Sequence, residues 1–121
     1  MLSGRRQLAA IMFTDLVGYT ALMQQNEQLA FQKRERSRKI LEKCLVKYDG
    51  KLVQYYGDGA LSIFRSAVNA VSCGIEIQTL NLSEPAIDMR IGIHATRTER
   101  YSNRDRDFRD LAVSTDVIYG L

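Results

Sequence analysis

The run Lys51-Leu52-Val53-Gln54-Tyr55-Tyr56-Gly57-Asp58-Gly59-Ala60-Leu61-Ser62-Ile63-Phe64 folds back on itself: two β-prone segments, 51–56 and 60–64, flank a Gly-Asp-Gly tip. Glycines at a hairpin tip supply the positive φ values that tight turns demand. Upstream, Asn26 is placed to cap a long helix that ends near Asp49-Gly50, where Gly supplies the stop. Its apolar positions Leu29, Ile40, Leu41, Cys44, Leu45 and Tyr48 fall largely on one face, and Lys33-Arg34-Glu35-Arg36 with Arg38-Lys39 is expected on the solvated one. Further upstream, Leu8-Ala9-Ala10-Ile11-Met12-Phe13 does not alternate and reads as a strand buried on both faces. Downstream, Ser66 caps a second helix running to about residue 82, with Val68, Val71, Ile75 and Leu80 expected to face inward. Pro85 breaks the chain, and Ile87, Met89, Ile91 and Ile93 then alternate with Asp88, Arg90, Gly92 and His94 in a half-buried strand.

Strand, helix, strand, strand, helix, strand is the order of an α+β, ferredoxin-like βαββαβ unit: an antiparallel sheet with two helices on one face. In that topology the first two strands run parallel with the third between them. The end of the first strand, at Asp15, then lies at the same sheet edge as the hairpin tip, at Asp58. The fourth strand runs the other way, so His94 is expected away from that edge. Each aspartate alone suits a helix cap or a turn equally well. Together, at convergent strand ends, they suit a hard divalent cation whose other positions are filled by water and phosphate oxygens. Val17, Gly18, Tyr19 and Thr20 lead from the strand into a helical turn, where main-chain N–H groups can hold phosphate and Gly18 permits close approach.

The bulk composition narrows the classes. At 121 residues the chain is one domain or part of one, and 45% hydrophobic with 26% charged residues is ordinary for a soluble globular protein. The early apolar run is too short for a membrane span and Asp15 interrupts it as a signal peptide. Cys44 and Cys73 match no metal or redox spacing and read as buried, reduced thiols, which points to a cytoplasmic protein. A net charge of +3 gives no argument for a nucleic-acid partner and suits a nucleotide polyanion as well.

Phe13-Thr14-Asp15-Leu16-Val17-Gly18-Tyr19-Thr20 resembles the first metal motif of the class III adenylate/guanylate cyclase catalytic domain, and Tyr56-Gly57-Asp58-Gly59-Ala60-Leu61-Ser62-Ile63-Phe64 resembles its second. Met89-Arg90-Ile91-Gly92-Ile93-His94 is similar to the strand that follows the second helix in that family. The resemblance implies two divalent cations, Mg²⁺ or Mn²⁺, held by Asp15 and Asp58 with the backbone carbonyl of Leu16. It implies attack of the ribose 3′-hydroxyl of ATP, or of GTP, on the α-phosphorus with loss of pyrophosphate, in a homodimer. The family's base-reading lysine falls at Gln54, which both donates and accepts and so discriminates purines less sharply.

After His94 the resemblance stops. The family's Thr-Gly turn, dimer arm, and transition-state asparagine and arginine are replaced by Ala95-Thr96-Arg97 and a charge-dense stretch carrying Arg100, Arg104, Arg106 and Arg109 among Glu99, Asp105, Asp107 and Asp110. Residues 1–94 are therefore expected as a partial cyclase domain and 95–121 as a divergent, poorly ordered tail, the product of truncation or a frameshift. Loss of preorganised charge stabilisers predicts weak turnover or none. A non-catalytic nucleotide- and metal-binding or dimerisation module is the alternative reading. A diguanylate cyclase is not, because its Gly-Gly-Asp/Glu-Glu-Phe hairpin is absent from Tyr56-Gly57-Asp58-Gly59.

Overall fold

The structure is a computed structural model that describes residues 5–100, 112–113 and 119–120, with side chains over 9–95. Strand β1 (Arg5–Leu16) is followed by a short helix α1 (Tyr19–Gln25) and the long helix α2 (Glu27–Lys47). The hairpin β2 (Gly50–Tyr56) and β3 (Gly59–Phe64) leads into helix α3 (Ala67–Leu80) and strand β4 (Met89–Arg100). Two short strands, β5 (Ala112–Val113) and β6 (Tyr119–Gly120), pair with β4. The main sheet has the order β2-β3-β1-β4 with every neighbour antiparallel. That is the ferredoxin-like α+β arrangement: each β-helix-β crossover spans one intervening strand.

Both expected helix caps form. Asn26 accepts a hydrogen bond from Leu29 N–H at 3.0 Å, and Ser66 accepts from Asn69 N–H at 3.1 Å. Each satisfies a helix-end donor left over by the i→i−4 pattern. The stop of α2 differs from expectation. Asp49, not Gly50, takes the left-handed conformation (φ 59°), while a side chain at Gly50 would press on Phe64 and Leu45 at 2.5–2.8 Å. Gly50 is small because the Phe64 ring occupies that space.

One core lies between the sheet and the helices. Ala10 and Met12 of β1, Ala60 and Phe64 of β3, and Ile91 of β4 meet Leu41, Cys44 and Leu45 of α2 and Ala70, Cys73 and Ile77 of α3. A smaller cluster, Ala9, Ile11 and Ile63 with Val53 and Leu61, sits on the opposite sheet face. Cys44 and Cys73 are free and fully buried, as expected, and burial raises both thiols, Cys73 to about 12. Thiols held so high are inert.

Helix α3 corrects the sequence reading. Val68, Val71 and Ile75 are 73%, 39% and 59% exposed, and Ala70, Cys73, Gly74 and Ile77 are buried instead. The helix carries two apolar stripes, and the one with the smaller side chains faces the sheet. Phe64 and Met12 already fill that layer, so only small helix residues allow close approach. The solvated-face reading of the α2 charges is also corrected in part. Arg36 donates to the Leu80 carbonyl at 3.2 Å and to the Pro85 carbonyl, tying the end of α3 to the approach to β4. Arg38 stacks on Tyr55 at 4.2 Å and reaches the Gly57 carbonyl at 3.5 Å.

Strand β4 continues past His94 to Arg100, paired with β1 as far as Arg5↔Arg100, so His94 is not an element boundary. The expectation of a poorly ordered tail over 101–111 and 114–118 lies outside the described residues. Among the described residues no helix is long and apolar enough to cross a membrane.

Candidate nucleotide and metal site

Asp15 reaches the site because β1 delivers it there. Thr14 pairs with Ala60, which puts Asp15 beside Gly59 at the mouth of the β2–β3 hairpin. Tyr56↔Gly59 closes that hairpin around Gly57-Asp58, with Gly57 at φ 54°. A positive φ at the first central position is the requirement of a type II′ turn, whose twist matches the flanking strands. A side chain at Gly59 would run into the Thr14 carbonyl and lie 3.2 Å from the Tyr56 ring. The glycine thus lets the hairpin close on β1, and Asp15 and Asp58 share one sheet edge. Both carboxylates also act on the Tyr56 phenol, which is pushed up first by burial and then by Asp15 and Asp58. The Tyr56 ring packs on Phe13 with centroids 4.9 Å apart.

Arg90 is the residue that the sequence reading passed over. It stands directly across from Asp15 in the β1–β4 ladder, and its Nη2 donates to Asp15 Oδ2 at 3.0 Å. The Arg90 side chain is 72% exposed and that of Asp15 30%, so the guanidinium is free to turn toward an incoming anion. The signal was available: Arg90 belongs to the outward set of the alternation, and antiparallel pairing with β1 brings the start of β4 to the end of β1. His94 pairs with Ile11 and lies away from this edge, as expected.

Gln54 owes its position to an irregularity in β2. The register slips between Leu52 and Gln54, so that Gln54 pairs with Leu61 and Tyr55 with Ala60. Leu61 belongs to the face opposite the helices, so the bulge turns Gln54 onto the same face as Phe13 and Asp15, where it is exposed. Beyond β1, Val17 N–H donates to the Asp88 carbonyl at 2.9 Å and Gly18 adopts φ 70° ahead of α1. Val17, Gly18 and Tyr19 line a cavity of about 240 Å³ that also admits Gln25, Lys33 and Asp88. Thr20 is exposed and does not line it.

Among the described residues no three carboxylate, imidazole or thiol side chains gather in one place. The donors at the edge are two carboxylates and main-chain oxygen, a hard-oxygen set that fits Mg²⁺ or Mn²⁺ and not Zn²⁺. With so few protein ligands, such a cation keeps positions for water and phosphate.

A protein of Rhizobium meliloti (strain 1021) that carries the name "Putative adenylate cyclase 3" is 37% identical over 98 residues, a match that takes in 74% of this chain. The solved adenylate/guanylate cyclase/hydrolase of Silicibacter pomeroyi is 28% identical, with a TM-score of 0.71 over 93% of this chain. The chain belongs to the class III adenylate/guanylate cyclase domains. A Trypanosoma brucei adenylate cyclase, solved in its monomeric state, shares the fold with a TM-score of 0.76 over 90% of this chain at 16% identity. No family model matches the chain. This cyclase domain spans 17% of the length of its Rhizobium relative, and 66% and 64% of the two solved chains.

Proposed function

We propose that this domain converts ATP, in preference to GTP, to cyclic nucleotide and pyrophosphate for intracellular signalling, as a homodimer in the cytoplasm. The observation that carries the reading is the meeting of Asp15, Asp58 and Arg90 at one sheet edge. Asp15 and Asp58, with the Leu16 carbonyl, are the groups that would hold two Mg²⁺ or Mn²⁺ ions. Such ions, when bound, favour the alkoxide of the ribose 3′-hydroxyl and neutralise charge on the triphosphate. In the reaction the 3′-hydroxyl gives up its proton to water, its oxygen bonds to the α-phosphorus, the bond from that phosphorus to the bridging oxygen breaks, and pyrophosphate leaves with the electron pair. With a cation held at Asp15, Arg90, which now donates to that carboxylate, would be free to turn to the phosphates. The main-chain amides of Gly18, Tyr19 and Thr20 orient phosphate oxygens, while Val17 N–H, expected among them, is taken by the Asp88 carbonyl, and Gln54, on the same face as Asp15, meets the base edge.

A second reading, a nucleotide- and metal-binding module without turnover, is favoured by the charge-dense stretch from Arg97 to Asp110, which stands in place of the family's transition-state asparagine and arginine. Titration of the chain with Mn²⁺-ATP, alongside an assay for cyclic AMP, separates the two. Expected are Mn²⁺-dependent ATP binding and low cyclic AMP production, both abolished by Asp15→Ala and by Asp58→Ala. Binding with no cyclic product supports the second reading, and no Mn²⁺-dependent binding overturns both.

A further inference from the structure

Lys33 stands out among the α2 cations. It is half-buried, and it makes no hydrogen bond or ion pair with any described residue, whereas Arg36 and Arg38 are both engaged. A lysine whose stem is covered while its charged head lines a cavity wall without a counter-charge presents that head to an anion entering the cavity. The cavity is the one walled by Val17, Gly18 and Tyr19, with Gln25 of α1 as a second polar residue in its lining. Leu16 and Ile87, buried at 5% and 4% exposure, form its apolar back and limit solvent screening. Asp88 is the acidic residue that lines the same cavity. It is exposed to solvent, and its carbonyl, not its carboxylate, fixes the wall by accepting from Val17 N–H.

We infer that Lys33 binds the terminal phosphate of the nucleotide, and the pyrophosphate after cleavage, in the cavity beside Gly18. This rests on the cyclase reading, which puts the phosphates on the Val17–Tyr19 loop. It adds a cation from the second helix, from a stretch that sequence patterning assigns to solvent. Lys33 is a binding residue in this account: it grips the leaving group and takes no proton.

Calorimetric titration of the full chain with the Mn²⁺ complex of inorganic tripolyphosphate tests it, using Lys33→Gln, Lys33→Arg and Asp15→Asn. Lys33→Gln is expected to weaken tripolyphosphate about tenfold, the loss of one charge-assisted contact. It should leave both the affinity for Mn²⁺ alone and the urea midpoint unchanged, and Lys33→Arg should restore most of the binding. Asp88→Asn, which removes the carboxylate of the cavity lining, should tighten tripolyphosphate slightly. Wild-type affinity in Lys33→Gln with loss in Asp15→Asn overturns this inference and leaves the cyclase reading standing. Loss of Mn²⁺ affinity or of stability in Lys33→Gln also overturns it, since Lys33 would then act through the fold. Unchanged affinity in Asp15→Asn, or no tripolyphosphate binding by the wild type, removes the reading beneath it as well.

Discussion

Arg90 Nη2 lies 3.0 Å from Asp15 Oδ2, across directly opposed residues of β4 and β1. The two are far apart in sequence, and the sheet alone brings them together. The pair occupies the place where a divalent cation is proposed to bind, so guanidinium and metal compete for one carboxylate. Under the proposed function, Asp15 holds Arg90 until a cation takes its place.

Arg90→Ala should therefore separate two affinities. Binding of bare Mn²⁺ should strengthen, because the competing cation is gone, while binding of Mn²⁺-ATP should weaken by about tenfold for the lost phosphate contact. Stability should change by no more than about 0.5 kcal/mol, since an ion pair this exposed contributes little. Parallel titrations and urea unfolding read all three, and a fall in both affinities would argue that Arg90 shapes Asp15 and does not compete for it.

Gly59 and Gly57 should respond differently to alanine. At Gly59 a methyl group meets the Thr14 carbonyl, which belongs to the backbone and cannot swing aside. Gly59→Ala should cost about 1–3 kcal/mol and loosen the Asp15–Asp58 edge. At Gly57 nothing lies within 4 Å of the added carbon, and only the positive φ of 54° is strained, at about 1 kcal/mol. Thermal unfolding with Mn²⁺ titration compares the two, and equal losses would contradict the contact argument.

The phase of α3 is open to direct measurement. Phe64→Ala empties a fully buried site and should cost about 3–5 kcal/mol. Val68→Ser falls on the exposed stripe, with Val68 at 73% exposure, and should stay within about 0.5 kcal/mol. A loss of several kcal/mol at Val68 would mean that the original inward assignment holds.

Glu76 couples α2 to α3 by accepting from Lys47 and from the Tyr48 hydroxyl, both at 2.7 Å. The Lys47 contact, then that of Tyr48, holds its carboxyl below the usual range. The sign follows: the folded state favours the carboxylate, so its contribution is present above the ordinary glutamate value of about 4.3 and is lost as pH falls through the lowered folded value. Glu76→Gln should be less stable than wild type at neutral pH and equal to it in acid. Urea midpoints across pH 7 to about pH 3 check this, and a constant difference would rule out the ion pair as its source.

Much of this protein is local and was legible as such. Asn26 and Ser66 cap their helices through bonds to residues three positions on. The Gly57-Asp58-Gly59 tip folds by its own φ preferences, and the alternation of residues 87–94 specifies a strand with one wet face. From these the element order followed, and from the order the meeting of Asp15 and Asp58, because two interleaved crossovers admit one antiparallel arrangement. Other features depend on residues distant in sequence. Which stripe of α3 is buried was decided by the volume that Phe64 and Met12 had already taken in the core. The face of Gln54 was decided by a slipped register against β3, and the partner of Asp15 by register against β4. Periodicity and caps arise from neighbours along the chain and are written in any short window of it. Packing volume and cross-strand register exist only once the strands and helices have met.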